Sequence, residues 1–114
     1  MAEMSNISVA LCSHNGEKFI GQQLSSILGQ TCLPGGLVVA DDASGDDTLR
    51  IAEKFAKIAP FPVKIFRHDA PLGVAQNFAF ALTKAEGEYI AFCDQDDVWL
   101  PDKLAATLGA MEDL

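Results

Sequence analysis

The stretch "YIAFCDQDDVWLPDKL", residues 89–104, runs from an apolar segment into an acidic turn and then back into an apolar pattern. Its first five residues form a β-type run, and Asp94, Asp96 and Asp97 follow almost at once. Like charges crowded at a strand end cost stability unless a cation lies among them or water solvates them. The turn is therefore either a solvated loop or a place where a cation binds.

The same unit of apolar strand, polar turn and helix recurs along the rest of the chain. Strands are predicted at residues 7–12, 37–40, 63–66 and 89–93, and helices at 18–30, about 46–58, about 74–84 and from Pro101 onward. Strands that alternate with helices are joined by right-handed crossovers and form a parallel sheet. The sequence thus predicts one Rossmann-like α/β domain over residues 1–114. Its sheet order should be 3-2-1-4, with helices on both faces and the least interrupted apolar strand, the first, at the centre.

Apolar residues at helical spacing predict which side of each helix packs inward. They are Phe19, Ile20, Leu24, Ile27 and Leu28 in the first helix, Leu49, Ile51, Ala52, Phe55 and Ile58 in the second, and Phe78, Ala81 and Leu82 in the third. Trp99 is expected to be a core or hinge anchor, with a stacking platform for a sugar as the alternative. The sequence offers no partner for His68.

The composition is that of a folded domain and argues against nucleic acid as a partner. Hydrophobic residues make up 49% of the 114 residues, which is enough for a core, whereas the length is too short for two ordinary domains. The net charge is −8, and phosphate backbones bind to Lys and Arg. Three cysteines without a C-x-x-C pair indicate reduced thiols and a cytoplasmic setting, and no signal peptide or membrane-spanning run is predicted.

Polar turns follow three of the predicted strands, at residues 13–17, 41–44 and 94–97. The carboxyl ends of parallel strands meet at one edge of the sheet, where open α/β domains bind ligands. Carboxylate oxygens are the ligands that Mg²⁺ and Mn²⁺ prefer. Asp94 and Asp96 are therefore candidate metal ligands, with a solvated loop as the alternative.

The other two turns leave their own alternatives open. One of Asp41 and Asp42 either accepts hydrogen bonds from a base or a ribose, or serves the backbone by capping the second helix or by accepting local N–H bonds. Ser44 and Asp46 are further candidates for that cap. His14 is either an ordinary loop residue or a contact to a base.

These motifs together resemble the N-terminal, nucleotide-sugar-binding half of family 2 glycosyltransferases with the GT-A fold. "VALCSHNGEKFI" resembles the opening strand and its Y-N-x-E turn, with His14 in the usual tyrosine position, and "LSSILGQT" resembles the S-I-L-x-Q-T helix end. "VVADDASGDDT" resembles V-V-D-D-G-S-x-D-x-T, "APLGVAQNFAFAL" resembles N-x-G-x-x-x-N, and "GEYIAFCDQDDVWLPDKL" resembles the D-x-D-D strand and helix. The resemblance extends from residue 7 to about residue 108.

The resemblance implies metal-dependent transfer of a sugar from a UDP- or dTDP-sugar to an acceptor hydroxyl, with inversion. Asp94 and Asp96 would form the D-x-D motif, with Asp96 the main ligand of a Mg²⁺ or Mn²⁺ that bridges the diphosphate. Asp97 would be a supporting polar neighbour, and Asp42 would accept a hydrogen bond from N3–H of the base. The residues expected around the nucleotide are Ser13, His14, Glu17, Asp41, Asp42 and Asp94.

The resemblance also implies partners and a place in the cell. The partners would be a nucleotide sugar and a saccharide or lipid-linked acceptor of bacterial surface polysaccharide synthesis. The protein would be cytoplasmic, or peripheral at the inner face of the membrane in its full-length form. Pro71 and Gln76 replace residues that are often Asn and basic in the family, so a phosphate contact from the third helix is not expected. The catalytic base and the acceptor half are expected beyond this chain.

Two other functions remain open at this point. The chain could be a nucleotide- or metal-binding fragment that does not turn over by itself. "DQDDV" also resembles the D-x-D-x-[TV] motif of haloacid-dehalogenase-like phosphatases, although that motif should follow the first strand rather than the fourth. Whatever the function, the fourth strand should be an exposed sheet edge that permits self-association.

Overall fold

The computed structural model describes residues 5–94 and 97–112, which form a parallel sheet of four strands with four helices. The strands are β1 (Ile7–Ser13), β2 (Gly36–Asp41), β3 (Val63–Arg67) and β4 (Tyr89–Cys93). The helices are α1 (Ile20–Leu28), α2 (Thr48–Ile58), α3 (Val74–Lys84) and α4 (Lys103–Glu112). The sheet order is β3-β2-β1-β4, so the predicted order is confirmed. Asp96, the predicted main metal ligand, lies outside the described residues.

Strand β1 is at the centre of the sheet because it is apolar on both faces and buried along its whole length. It pairs in parallel with β2 on one side, where Ser13 lies opposite Asp41, and with β4 on the other, where Leu11 lies opposite Cys93. This register places the carboxyl ends of β1, β2 and β4 next to one another. The turns after these strands can therefore contribute to a single site.

The two faces of the sheet are covered unequally. Helices α1, α2 and α4 pack on one face, where the alternate β1 residues Ile7, Val9 and Leu11 meet Leu24 and other buried side chains. Helix α3 packs on the other face, where a smaller core surrounds Ala10. Each fully buried aliphatic side chain contributes roughly 1.5–3 kcal/mol, so most of the stabilising burial lies on the three-helix face.

Three residues predicted to face inward are exposed instead. Phe19 is 44% exposed because α1 begins one residue after it. Ile58 is 70% exposed at the last position of α2, beyond Phe55, the last buried residue of that helix. Leu82 is 47% exposed because α3 turns Asn77 and Ala81 toward the sheet. The helical period alone did not distinguish the centre of each inward face from its margins.

The last helix begins later than predicted. Pro101 precedes α4 in a turn that is closed by a hydrogen bond from Lys103 N–H to the Leu100 carbonyl (3.1 Å). The first helical bond runs from Ala106 N–H to the Asp102 carbonyl (2.8 Å). None of the helices in the described ranges is long and apolar enough to cross a membrane.

Candidate nucleotide site at the carboxyl edge of the sheet

A cleft of about 260 Å³ opens at the carboxyl ends of β1, β2 and β4. It brings together four of the residues that the sequence predicted for a nucleotide site: Ser13, His14, Asp42 and Asp94. The sequence analysis did not assign its other lining residues to a site; these are Cys12, Val74, Asn77 and Phe78. The cleft therefore combines polar turns from the sheet edge with one side of α3.

Asp41 lies at the end of β2 and is fully buried. Its Oδ1 accepts hydrogen bonds from Ser13 Oγ (2.8 Å) and Ser44 Oγ (2.6 Å), and its Oδ2 accepts one from the Ser44 backbone N–H (3.0 Å). These bonds join the end of β1 to the turn after β2. The local backbone bond that the sequence left open for one of the two aspartates is thus made by Asp41. Its contact with a nucleotide stays a prediction.

Asp42 is 7% exposed and makes a longer-range connection. Its two carboxylate oxygens accept backbone N–H bonds from Leu72 (2.6 Å) and Gly73 (3.0 Å). Gly73 has a φ of +90°, a conformation that glycine adopts without steric cost, and it immediately precedes α3. A carboxylate at the start of a helix is also favoured by the helix dipole. Asp42 therefore fixes the loop before α3 while still lining the cleft.

The turns after β1 and β2 hold each other in place. Asn15 N–H donates to Ser44 Oγ (2.9 Å), and Gly45 N–H donates to Asn15 Oδ1 (2.8 Å). Asn15 and Ala43 have φ values of 50° and 56°, a region that costs a non-glycine residue roughly 1 kcal/mol. The cross-links stabilise this strained backbone at the mouth of the cleft.

His14 is exposed at the cleft and has a defined orientation. Its Nδ1 lies 2.6 Å from the backbone carbonyl oxygen of Asp42, and its Nε2 lies 3.3 Å from the side-chain amide nitrogen of Asn15. A carbonyl can only accept, so Nδ1 carries the proton, and Nε2 can accept from the Asn15 amide. An imidazole held in this way presents its ring beside the cleft, where the predicted contact with a base can be made.

The acidic turn after β4 contributes Asp94, whose side chain is exposed at the cleft. Asp97 is half-buried, and its Oδ2 accepts a hydrogen bond from Trp99 Nε1 (3.2 Å). Trp99 is 5% exposed in the larger core, as expected of an anchor. Within residues 5–94 and 97–112, no three His, Cys, Asp or Glu side chains gather as a metal site. The metal site at Asp94 and Asp96 stays a prediction.

The cleft is electrostatically negative. Burial, and after it the charges of the nearby Asp94 and Asp42 carboxylates, together raise the pKa of the Cys12 thiol to about 12. The negative charges of Asp42 and Asp94 therefore both act at the position of the Cys12 thiol in the cleft. Among the described residues that line it there is no Lys or Arg. Such a donor set fits a divalent cation, which can join acidic protein side chains to the anionic phosphates of a nucleotide.

Of the residues predicted around the nucleotide, Glu17 and Asp41 do not line the cleft. Glu17 is exposed beside α1, in a shallow groove that includes Val98, and its backbone N–H donates to Asp46 Oδ2 (3.2 Å). Asp46 also accepts from the Thr48 backbone N–H (3.0 Å), which closes a turn just before α2. The N-cap position of α2 is Asp47, without a side-chain cap bond, so the cap predicted at Ser44 or Asp46 is wrong. A contact between Glu17 and a nucleotide stays a prediction.

Asn77 is the main polar residue of the cleft that sequence reasoning missed. It is 2% exposed, its Nδ2 donates to the Ala40 carbonyl (2.9 Å), and its Oδ1 lies 2.9 Å from His68 Nε2. Since the amide nitrogen is used as a donor, Oδ1 accepts from His68, which the sequence had left without a partner. Asn77 stands at the last Asn of the N-x-G-x-x-x-N pattern that this stretch resembles, so the signal was present in the sequence although no role was assigned to the residue.

A larger cavity, of about 320 Å³, lies at the opposite edge of the sheet. It includes Ser8, Gly36 and the ion pair between Lys64 and Glu86 (2.7 Å). None of the predicted site residues lies there. The carboxyl edge remains the candidate because the acidic turns converge on it.

The fold is that of the GT-A glycosyltransferases to which the chain is structurally similar. The chain belongs to glycosyl transferase family 2, whose sequence profile matches residues 8–114. The family expected from the motifs is therefore confirmed.

Three proteins illustrate the similarity. TarS of S. aureus, solved with UDP-GlcNAc, superposes with a TM-score of 0.84 at 31% identity, over 94% of this chain and 31% of TarS. A mannosyltransferase from Pyrobaculum calidifontis, solved with GDP-Man and Mn²⁺, gives a TM-score of 0.81 at 25% identity, over 90% of this chain and 31% of that one. The UDP-Glc:α-D-GlcNAc-diphosphoundecaprenol β-1,3-glucosyltransferase WfgD of Escherichia coli is 33% identical over 92% of this chain and 40% of its own length. The chain thus spans well under half of the proteins it matches.

Proposed function

We propose that this chain is the donor-binding half of a metal-dependent glycosyltransferase that takes its sugar from a UDP- or dTDP-sugar. The observation that carries the proposal is the cleft in which Asp42 and Asp94 meet without a described Lys or Arg. A nucleoside diphosphate is itself anionic, so it binds there only if a cation lies between the diphosphate and the carboxylates. Family membership supports the same assignment.

In this proposal Asp42 recognises the base. The backbone N–H groups of Leu72 and Gly73 hold its carboxylate in one orientation. An ionised carboxylate offers about four acceptor positions, so two remain for a ligand. Uracil and thymine each present an imide N3–H that can donate to one of them. His14 contacts the base from the β1 side, and Ser13 and Asp41 support the turn beneath it.

Asp94 and Asp96 would hold the Mg²⁺ or Mn²⁺. When bound, the ion supplies a Lewis acid that neutralises the departing nucleoside diphosphate. Asp97, held by Trp99, supports the same turn. That the Pyrobaculum mannosyltransferase was solved with Mn²⁺ supports the choice of ion.

Transfer itself needs an acceptor and a base. In the proposed reaction an acceptor hydroxyl loses its proton to a carboxylate and attacks the anomeric carbon from the face opposite the leaving diphosphate, which inverts that centre. The base and the acceptor-binding residues are proposed to belong to a further part of the full-length enzyme. The proposed acceptor is a saccharide or lipid-linked acceptor of bacterial surface polysaccharide, used at the cytoplasmic face of the membrane. The diphosphoundecaprenol-linked acceptor in the name of the E. coli relative supports the lipid-linked alternative.

The first test is calorimetric titration of the chain with UDP, dTDP, CDP and GDP in the presence of Mn²⁺. UDP and dTDP should bind. CDP should bind about tenfold to a hundredfold more weakly, because cytosine has no N3–H and loses a hydrogen bond to a charged group worth roughly 1.5–3 kcal/mol. Asp42→Ala should abolish this discrimination. Equal affinity of the wild-type chain for UDP and CDP would show that Asp42 serves only to hold its loop.

A second pair of variants tests the metal. Asp96→Asn should lose Mn²⁺-dependent binding of UDP, whereas Asp102→Asn, at an exposed position before α4, should bind as the wild type does. Unchanged binding in both variants would contradict the D-x-D assignment. The alternative of a non-catalytic nucleotide- or metal-binding protein is favoured if the full-length protein binds a UDP-sugar with Mn²⁺ but neither transfers nor hydrolyses the sugar.

A further inference from the structure

Helix α1 presents a polar stripe to the segment that follows β4. Gln23, Ser26 and Gln30 are spaced three and four residues apart, so they lie on one side of the helix. Gln23 and Gln30 are 1% and 3% exposed. Burying an amide costs roughly 1–3 kcal/mol unless it is hydrogen-bonded, so these side chains need partners.

The segment from residue 94 to residue 104 provides those partners. Gln23 Nε2 donates to the Asp94 carbonyl (2.5 Å), and Ser26 Oγ accepts from the Trp99 backbone N–H (3.1 Å). Gln30 Nε2 donates to the Leu100 carbonyl (2.7 Å), and its Oε1 accepts from the Leu104 backbone N–H (3.0 Å). The stripe therefore holds the acidic turn and the chain after it by their backbone groups, and leaves the Asp94 carboxylate exposed to the cleft.

Gln23 holds the first residue of that turn. The strand pairing of β4 ends at Cys93, so the sheet gives no further backbone support at Asp94. The Cys93 thiol, 3.8 Å from Gln23 Nε2, is too weak an acceptor to replace the Asp94 carbonyl. The Asp94 carbonyl also accepts from the Asp97 backbone N–H (3.1 Å), but that bond lies within the turn, whereas the Gln23 donor ties the start of the turn to α1.

We propose that Gln23, supported by Ser26 and Gln30, is a positioning residue for the divalent cation. By fixing the Asp94 carbonyl it sets where the turn after β4 begins and how the Asp94 carboxylate faces the cleft. The inference rests on the proposed function. Groups that orient metal ligands from behind typically change metal affinity by about tenfold to a hundredfold when they are removed.

The test compares two neighbouring glutamines of α1. Gln23→Met keeps the length of the side chain and removes the donor, and Gln22→Met makes the same change at an exposed position. The measurements are Mn²⁺ affinity from the electron paramagnetic resonance signal of free Mn²⁺ in the presence of UDP, and uridine affinity without metal. Gln23→Met should weaken Mn²⁺ binding about tenfold or more and leave uridine binding unchanged, and Gln22→Met should change neither.

The possible results separate this inference from the proposed function. If the wild-type chain takes up no Mn²⁺ with UDP, the proposed function is wrong and the inference falls with it. If the wild type binds Mn²⁺ and Gln23→Met binds it equally well, or if uridine binding falls in parallel, only the positioning role is overturned. If thermal unfolding shows that Gln23→Met does not fold, the same Mn²⁺ and uridine affinities are measured on Ser26→Ala instead. A selective, smaller loss of Mn²⁺ affinity supports the inference, and no loss contradicts it.

Discussion

The turns after β2 and β4 are both acidic, yet the protein treats them in opposite ways. After β2, Asp41 is buried and accepts three hydrogen bonds from Ser13 and Ser44. After β4, the Asp94 carboxylate is exposed, and it is the backbone carbonyl of this residue that is held, by Gln23. The same residue type thus stabilises the fold on one side and remains available to a ligand on the other. The two turns therefore differ in whether protein donors already occupy the carboxylate oxygens, and not in whether carboxylates are present.

The largest expected effect tests the difference in stability. Asp41→Ala removes the acceptor of three hydrogen bonds, so two buried serine hydroxyls and one backbone N–H lose their partner. The free energy of unfolding should therefore fall by about 2–4 kcal/mol. Asp94→Ala should change it by less than about 0.5 kcal/mol, because the side chain is exposed. Urea denaturation of both variants provides the measurement. Similar losses in the two variants would show that the turns do not differ in this way.

An intermediate effect is expected at Cys12, which lines the cleft between the two turns. Because its pKa is raised to about 12, the thiol is protonated at pH 8.5, and alkylation by iodoacetamide should be slow and should accelerate as the pH rises toward 12. Asp94→Asn removes a charge that raises this pKa, so alkylation of Cys12 should become faster. Mass spectrometry can follow each cysteine separately.

Cys32, which is half-buried, provides the internal reference, and its rate should be the same in both proteins. Asp102→Asn serves as the matched charge control, with no expected change at Cys12. An unchanged rate at Cys12 in Asp94→Asn would mean that the Asp94 carboxylate does not act on the cleft in solution.

The smallest expected effect concerns the edges of the sheet. The outer strand β3 contains Lys64 and Arg67, whereas β4 contains no charged residue and exposes 47% of Phe92. Uncharged edges pair with other chains more readily, so weak self-association through β4 is expected at high concentration. Phe92→Lys should suppress it, whereas Ile58→Lys, at an exposed position of α2, should not. Light scattering that finds a strict monomer at every concentration would contradict this prediction.

Most of the fold could be predicted from the sequence because its signals are local. Each strand is a short apolar run, and each helix repeats its apolar residues at the helical period, so the strands and the sheet order were predicted correctly. The errors fell at boundaries. Phe19 precedes α1, Ile58 is the last residue of α2, and Pro101 precedes α4. At a helix end the apolar spacing stops, so it does not predict whether a neighbouring element covers the side chain.

The site was predicted in part. Ser13, His14, Asp42 and Asp94 do line one cleft, because parallel strands place their carboxyl ends together. Glu17 lies outside it, and Asn77 was missed, because the side of a helix that meets the sheet edge depends on how that helix packs. The role of Gln23 could not be seen in the sequence, since its partner lies 71 positions away.

The sequence by itself determined the family, the α/β class, the strand order and the three polar turns, because each depends on patterns within a few residues or on a connection rule. Only the tertiary structure decided how each acidic side chain is used. Asp41 is surrounded by donors from β1 and its own turn, Asp42 by the loop before α3, and Asp94 by none at its carboxylate among the described contacts. Hydrogen bonds between residues far apart in the chain exist only once the helices and strands have packed, and so a run of aspartates in the sequence does not reveal which of them remains available to a ligand.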